Sequence, residues 1–272
     1  MTSLLLTGAS GLVGARLLPR LVDAGFDCRA LIRGDVELPE GAAAITGDLL
    51  EADSLPAAVE GVDAIVHLAA FFRTTDEDAI WRANRDGTRN LIDAAKAHAP
   101  EARFMMASTS NVYNADATRP AREDDECTPT AAYPASKLAA EALLRESGLS
   151  WAIPRFPFVY GDGDGHLASM PSLAERFGLH PAQAFSVAHH LDIAAVVKLA
   201  LDGTMDGRVV NITDDAPVSV FEMAELVGKP IKGSSEPLTN PWSGRMDGTL
   251  ARQLGFRPAV PTIQQASRDG IL

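Results

Sequence analysis

The chain has 272 residues, 46% apolar and 22% charged, an ordinary balance for a folded protein with room for one large α/β domain, or one domain with a small lobe. Thirty-six acidic against twenty-four basic residues leave a net charge of -12, which argues against a nucleic-acid surface because phosphate binding needs a basic patch. No apolar run reaches the length of a membrane span, and the first strand-like run starts almost at Met1, leaving no room for a signal peptide, so a cytoplasmic location is expected. The two cysteines, Cys28 in an apolar strand and Cys127 in a polar loop, are expected to stay unpaired.

In chain order, Ser3-Leu4-Leu5-Leu6 reads as a buried strand. It runs into Thr7-Gly8-Ala9-Ser10-Gly11-Leu12-Val13-Gly14 and then a helix over 12–24, where Leu17, Leu18, Leu21 and Val22 recur at helical spacing. A strand, a glycine turn and a helix N-terminus form a cradle for a pyrophosphate, because the backbone approaches closely and free N–H groups meet the negative charge. The spacing, Gly-x-x-Gly-x-x-Gly, is one residue wider at its start than the usual dinucleotide fingerprint. Further strands are expected at 28–33, 43–46, 62–67, 103–108 and 150–155, and helices at 51–59, 76–98 and 132–147. This alternation predicts a doubly wound parallel sheet. Two long interruptions, 114–130 and 160–181, follow strands on the side where open α/β sheets place ligands. Beyond 182 the pattern predicts a strand over 184–188, a helix over 193–202 capped by Asp192, a strand over 208–212, a helix over 219–227, and short helices near 246–254 and 262–268. Residues 1–160 read as a cofactor-binding domain, and 161–272 mostly as a small substrate lobe with elements returning to the core.

Within the helix expected at 132–147 stands Tyr133-Pro134-Ala135-Ser136-Lys137. Positions four apart share a helix face, and an ammonium beside a phenol favours the phenolate, making the tyrosine a usable acid and base. With the glycine turn, this pair resembles the short-chain dehydrogenase/reductase superfamily, and more narrowly its extended branch, the NAD(P)-dependent epimerase/dehydratase family. The resemblance covers nearly the whole chain, through Gly47-Asp48-Leu49, His67-Leu68-Ala69-Ala70, Asn84 with Gly87-Thr88, Ser108-Thr109 and Val159-Tyr160-Gly161.

The resemblance implies a Rossmann domain in which Tyr133 is the acid/base, Lys137 binds the nicotinamide ribose and lowers the tyrosine pKa, and Thr109 stabilises the substrate oxygen, with Ser108 as its neighbouring alternative. It carries cofactor contact onto Gly8 through Gly14, Asp48 and Leu49 at the adenine, Leu68, Ala69, Ala70, Asn84, Ser108, and Phe156-Pro157-Phe158. At the end of the second strand, Ile32 occupies the family's acidic NAD position and Arg33 follows it, so NADP is the expected cofactor, with NAD the alternative. Asp35 stands close to that arginine.

Departures narrow the reaction. Ser110 and Asn111 replace the Asp-Glu pair of sugar-nucleotide dehydratases, and Phe158 replaces the polar residue that holds a diphosphate in nucleotide-sugar epimerases. Phe72, Arg73, Ser110, Asn111 and Phe158 are expected to face the substrate, with Phe71, Trp81 and Met170 as further apolar candidates. His67 reads as a strand-end histidine whose backbone touches the cofactor; His189 and His190 lack a second ligand pair at metal spacing, so no metal site is expected. The reading is a reductase of a small ketone, aldehyde or sugar-like substrate. Its rivals are an epimerase with bound NAD and a cofactor-sensing regulator without turnover; retention of Tyr133 and Lys137 argues against the regulator. Relatives pair through the helices matching 76–98 and 132–147, so a homodimer is expected, with Ala94, Ala95, Ala139, Ala140 and Leu143 offered for its contact face.

Overall fold

The computed structural model describes residues 2–272. Strands β1 (Ser3–Thr7), β2 (Asp27–Ile32), β3 (Ala42–Thr46), β4 (Ala64–His67), β5 (Arg103–Met106), β6 (Ser108–Thr109) and β7 (Ser150–Phe156) make a parallel sheet, closed at one edge by β11 (Arg208–Asn211). Its order is β11-β7-β5-β4-β1-β2-β3, with β6 pairing on β7. The chain leaves β1 toward β2 on one side and enters β4 on the other, so the carboxyl ends of β1 and β4 flank the crevice of a doubly wound fold.

Side chains alternate across the strands, and the two faces fill separately. Leu4, Leu6, Val66 and Met105 pack on one face against α1 (Gly14–Asp23) and later helices, while Leu5, Ile65, Phe104 and Ile153 pack on the other. That second face is covered by α2 (Pro56–Val59), α4 (Gly87–His98) and α5 (Ala132–Arg145). Helix α3 (Glu77–Trp81) continues into α4 through a π-helical turn, Arg82–Asp86. Past β8 (Phe158–Tyr160) come α6 (Met170–Phe177), β9 (Ala184–Phe185), β10 (Val187–His189), α7 (His190–Leu201), then β11, β12 (Val218–Ser219), α8 (Val220–Leu226), α9 (Thr249–Gln253) and α10 (Ile263–Asp269). The strands among them form two small sheets, β8 with β10 and β9 with β12. Helix α7 packs on the first face of the main sheet. A third core joins Tyr160, Leu167, Met170, Val187, Val220, Met223 and Ile263.

Several boundaries differ from those expected. Residues 12–13 belong to the glycine turn, so α1 opens at Gly14. The strand expected at 103–108 breaks at Ala107. The segment 160–181, expected as loop, contains α6, with Pro171 inside its first turn and Gly178 in the left-handed conformation at its end. Asp192 does not cap α7: the cap is His189, whose Nδ1 accepts from Leu191 N at 3.1 Å. Instead the buried Asp192 carboxylate accepts from Ala259 N. Ala94, Ala95 and Ala140 lie in the monomer's own core, leaving only Ala139 and Leu143 of the proposed contact face partly open. Both cysteines are free, and among the described residues no helix is long and apolar enough to cross a membrane.

Candidate active site

The glycine turn is built by close backbone approach. Gly8 has φ 74°, and a Cβ there would stand 2.7 Å from Ala69 N; one at Gly14 would stand 2.1 Å from Gly8 O. Any side chain at either position collides with backbone. Ala9 is buried, Leu12 and Val13 are half-buried, and Ser10 and Gly11 are exposed at the mouth of the crevice. Helix α1 carries no acidic residue in its first turn and no side-chain cap, so its N–H groups and positive dipole end fit an anion such as a pyrophosphate.

A buried chain of polar groups ties this turn to α5. Thr88 Oγ1 donates to Asn84 O at 2.6 Å, so it accepts from His67 Nε2 at 2.9 Å. His67 Nδ1 is then the acceptor for the Thr7 hydroxyl at 2.7 Å. Burial, with Lys137 nearby, pulls the imidazole pKa down to about 3, so His67 stays neutral. The π-helical turn aims Asn84 inward, where its amide donates to Phe71 O and Ser136 Oγ and its oxygen accepts from Phe71 N. Its side chain thus holds the segment after β4 against α5.

Tyr133 and Lys137 stand one turn apart on α5, Tyr133 half-buried and Lys137 fully buried. Thr109, at the end of β6, lies beside the Tyr133 phenol, and its Oγ1 accepts from Asn111 N at 3.2 Å. Burial pushes that phenol up to about 12, with the Thr109 hydroxyl opposing the rise. Burial pulls the Lys137 ammonium down to about 8, against the field of Glu141. The Ser108 hydroxyl donates to Glu141 Oε1.

The remaining expected positions surround the crevice. Leu68, Ala69 and Ala70 continue from β4, with Ala69 N donating to Thr7 Oγ1 at 3.3 Å. Asp48 Oδ1 accepts from Leu50 N, a local turn, and Asn90 pins Leu49 O at 2.8 Å. Ile32 is buried in the core, whereas Arg33 beyond it is exposed. Ser110 and Asn111 open a short helical turn after Thr109, Ser110 half-buried and Asn111 exposed. Phe156 is buried, and Pro157 and Phe158 are half-buried. The Phe72 ring lies 5.2 Å from Tyr133 and carries the Arg73 guanidinium at 5.2 Å. The Phe158 ring stacks on His166 at 4.1 Å. Met170 is core, not lining.

Sequence reasoning passed over Glu141, His166 and the buried His190–Asp164 pair at 2.8 Å. Glu141 had a signal, since it continues the four-residue stripe of Tyr133 and Lys137. His190 and His166 had none, because their partners are set by tertiary packing. Among the described residues, no three potential metal-ligating side chains come together.

Comparison with known proteins agrees with this geometry. The chain is 32% identical over 241 residues to a 4-hydroxy-2-methyl-3-oxo-4-farnesyl-3,4-dihydroquinoline-1-oxide ketoreductase of Stigmatella aurantiaca, covering 81% of this chain and 71% of that one. It is 30% identical over 216 residues to a ceramide reductase of Caulobacter vibrioides, covering 77% and 63%. The fold matches the crystal structure of a short-chain dehydrogenase/reductase superfamily protein from Agrobacterium tumefaciens with bound NAD, at TM-score 0.81 and 24% identity, over 98% of this chain and 95% of that one. Residues 4–212 match the model of the NAD dependent epimerase/dehydratase family. The chain therefore belongs to that family, the extended branch of the short-chain dehydrogenases/reductases, and is an NAD(P)-dependent enzyme.

Proposed function

We propose that the chain is an NADP-dependent reductase of a ketone, aldehyde or sugar-like substrate. Nicotinamide, when bound, supplies a hydride to the carbonyl carbon. Tyr133 gives its proton to the carbonyl oxygen, and Thr109 hydrogen-bonds that oxygen as its charge develops. The phenolate left behind stands one turn from the Lys137 ammonium. The glycine turn would hold the pyrophosphate, and the segment 161–272 would supply much of the substrate side.

The observation that carries the reading is the placement of Tyr133 and Lys137 one turn apart on α5, with Thr109 at the end of β6 beside the phenol. A proton donor and a hydroxyl at one point are what a carbonyl reduction uses. The names of the two sequence relatives, a ketoreductase and a ceramide reductase, support the direction. Phe72 and Phe158 support a substrate with apolar surface beside the reacting carbon. The cofactor preference rests on Ile32 facing the core and Arg33 standing free at the end of β2.

Titration with NADPH and NADH, followed by a panel of carbonyl compounds, tests the reading. NADPH is expected to bind tighter, and Arg33→Ala to weaken NADPH roughly tenfold or more, the worth of one charge-assisted contact, while NADH changes little. Equal losses for both would remove the NADP assignment. Stoichiometric NAD released by denaturing the fresh protein would favour an epimerase that regenerates its own cofactor. Pairing into a homodimer through α4 and α5 belongs to the same proposal; light scattering at the mass of one chain would exclude it.

A further inference from the structure

Helix α5 carries a third polar residue on the face that presents Tyr133 and Lys137. Glu141 lies four residues beyond the lysine, one more turn along the stripe. Its side chain is 1% exposed and that of its partner, Arg155 on β7, is 3% exposed. Glu141 Oε1 accepts from Ser108 Oγ at 2.5 Å and from Arg155 Nε at 3.0 Å; Oε2 accepts from Arg155 Nη2 at 2.6 Å. The guanidinium rests over the Tyr113 ring at 4.9 Å, and its Nη1 reaches Cys127 Sγ at 3.8 Å. Ser108 pairs with Arg155 across the sheet, and Thr109 with Phe156. One carboxylate thus ties α5 to β6 and β7 immediately behind Thr109 and Lys137.

Such a buried pair is a weak source of stability, because desolvating two ions offsets most of their attraction. Its placement says more. The hydroxyl that meets Tyr133 belongs to the residue next to Ser108, and Glu141 holds Ser108. The same carboxylate opposes the loss of charge that burial imposes on Lys137. We propose that Glu141 is a positioning residue of the active site, fixing the Ser108–Thr109 strand end beneath Tyr133 and placing a carboxylate one helix turn from buried Lys137 as its counter-charge. This rests on the roles given to Tyr133, Thr109 and Lys137 above. The other titratable groups around the lysine are neutral His67 from β4 and Tyr133 on α5; Arg155, Tyr113 and Cys127 gather at the carboxylate.

The chain has five lysines, few enough for each to be followed by carbon-13 NMR of ε-labelled lysine, with Lys137→Met assigning the signal. In Glu141→Gln the Lys137 midpoint is expected to fall by about one pH unit or more, while Ser108→Ala leaves it nearly unchanged. An unmoved midpoint in Glu141→Gln overturns the counter-charge. Reduction of phenanthrenequinone by NADPH reads the positioning. In Glu141→Gln, kcat is expected to fall roughly tenfold or more with KM for NADPH within about twofold, and Glu141→Asp to restore part of the loss. A wild-type kcat in Glu141→Gln overturns the positioning. If Glu141→Gln does not fold, the double variant Glu141→Gln/Arg155→Met removes both charges and reads the positioning through kcat, where a wild-type value overturns it. The NMR titration needs no turnover. A wild-type protein that reduces no quinone while Glu141→Gln drops the lysine midpoint supports Glu141 and sinks the reductase reading; an active wild type with an unmoved lysine does the reverse.

Discussion

Burial keeps the Tyr133 proton in place at neutral pH, and the neighbouring Thr109 hydroxyl opposes it. Tyr133→Phe removes that proton and nothing from the glycine turn. Its kcat is expected to fall about 10²–10⁴-fold, the usual worth of a positioned acid, with NADPH affinity within a few-fold of wild type. Stopped-flow turnover beside a fluorescence titration checks both halves, and persistent activity would remove Tyr133 from the chemistry. At this scale the sequence was legible where a residue's place follows from local geometry. Gly8, Gly14 and the Tyr133–Lys137 spacing lie in one turn and one helix, so short-range pattern determines them. The surroundings of Asn84, Ser108 and Lys137 were not legible, because they come from elsewhere in the fold. Asn84 meets Phe71 and Ser136, Ser108 meets Glu141 on a distant helix, and Lys137 is buried.

The elements show the same division. The strand and helix alternation over the first half was readable from apolar periodicity, and the parallel sheet follows from it. Helix α6 was missed although its boundaries were written in Pro171 and Gly178, because three further glycines and a short length made the segment look like loop. The cap of α7 was misplaced for a different reason. Asp192 is a better capping type than histidine, but its carboxylate is drawn to Ala259 N from a later segment, leaving His189 to accept from Leu191 N. His189 also donates Nε2–H to Ile271 O at 2.8 Å. His189→Ala removes both bonds and is expected to cost about 1–2 kcal/mol, read as a lowered urea midpoint with unchanged m. An unchanged midpoint would show that the cap is not supporting α7.

Over the whole molecule, the third core buries carboxylates without full partners. Asp214 Oδ2, Asp192 Oδ2 and the Tyr160 hydroxyl are all buried and unpaired. Burial raises Asp192 to about 6 and Asp214 to about 8. A carboxyl whose folded pKa lies above its unfolded value binds more protons folded than unfolded, so it costs stability as pH rises from about 4 to about 8. Asp214→Asn removes that cost. It is expected to raise the melting temperature at pH 8 more than at pH 5, by calorimetry at both values. An equal change at the two pH values would mean that Asp214 is already ionised in the fold.

Asp162 is the one non-glycine residue with positive φ, 53°, among those described, and α1 grips it. Arg20 Nη2 meets its carboxylate at 2.8 Å, and Arg16 Nη2 meets its carbonyl at 3.2 Å. From the other side, the Asp162 and Gly163 N–H groups donate to Ile271 O and Leu272 O. The helix that begins at the glycine turn is thus stapled through Asp162 to the last two residues of the chain, so the first turn after β1 and the chain's end move as one piece. The segment after β4 has no such clamp on its side chains: Phe71, Phe72 and Arg73 stand exposed, with the Phe72 ring 5.2 Å from Tyr133.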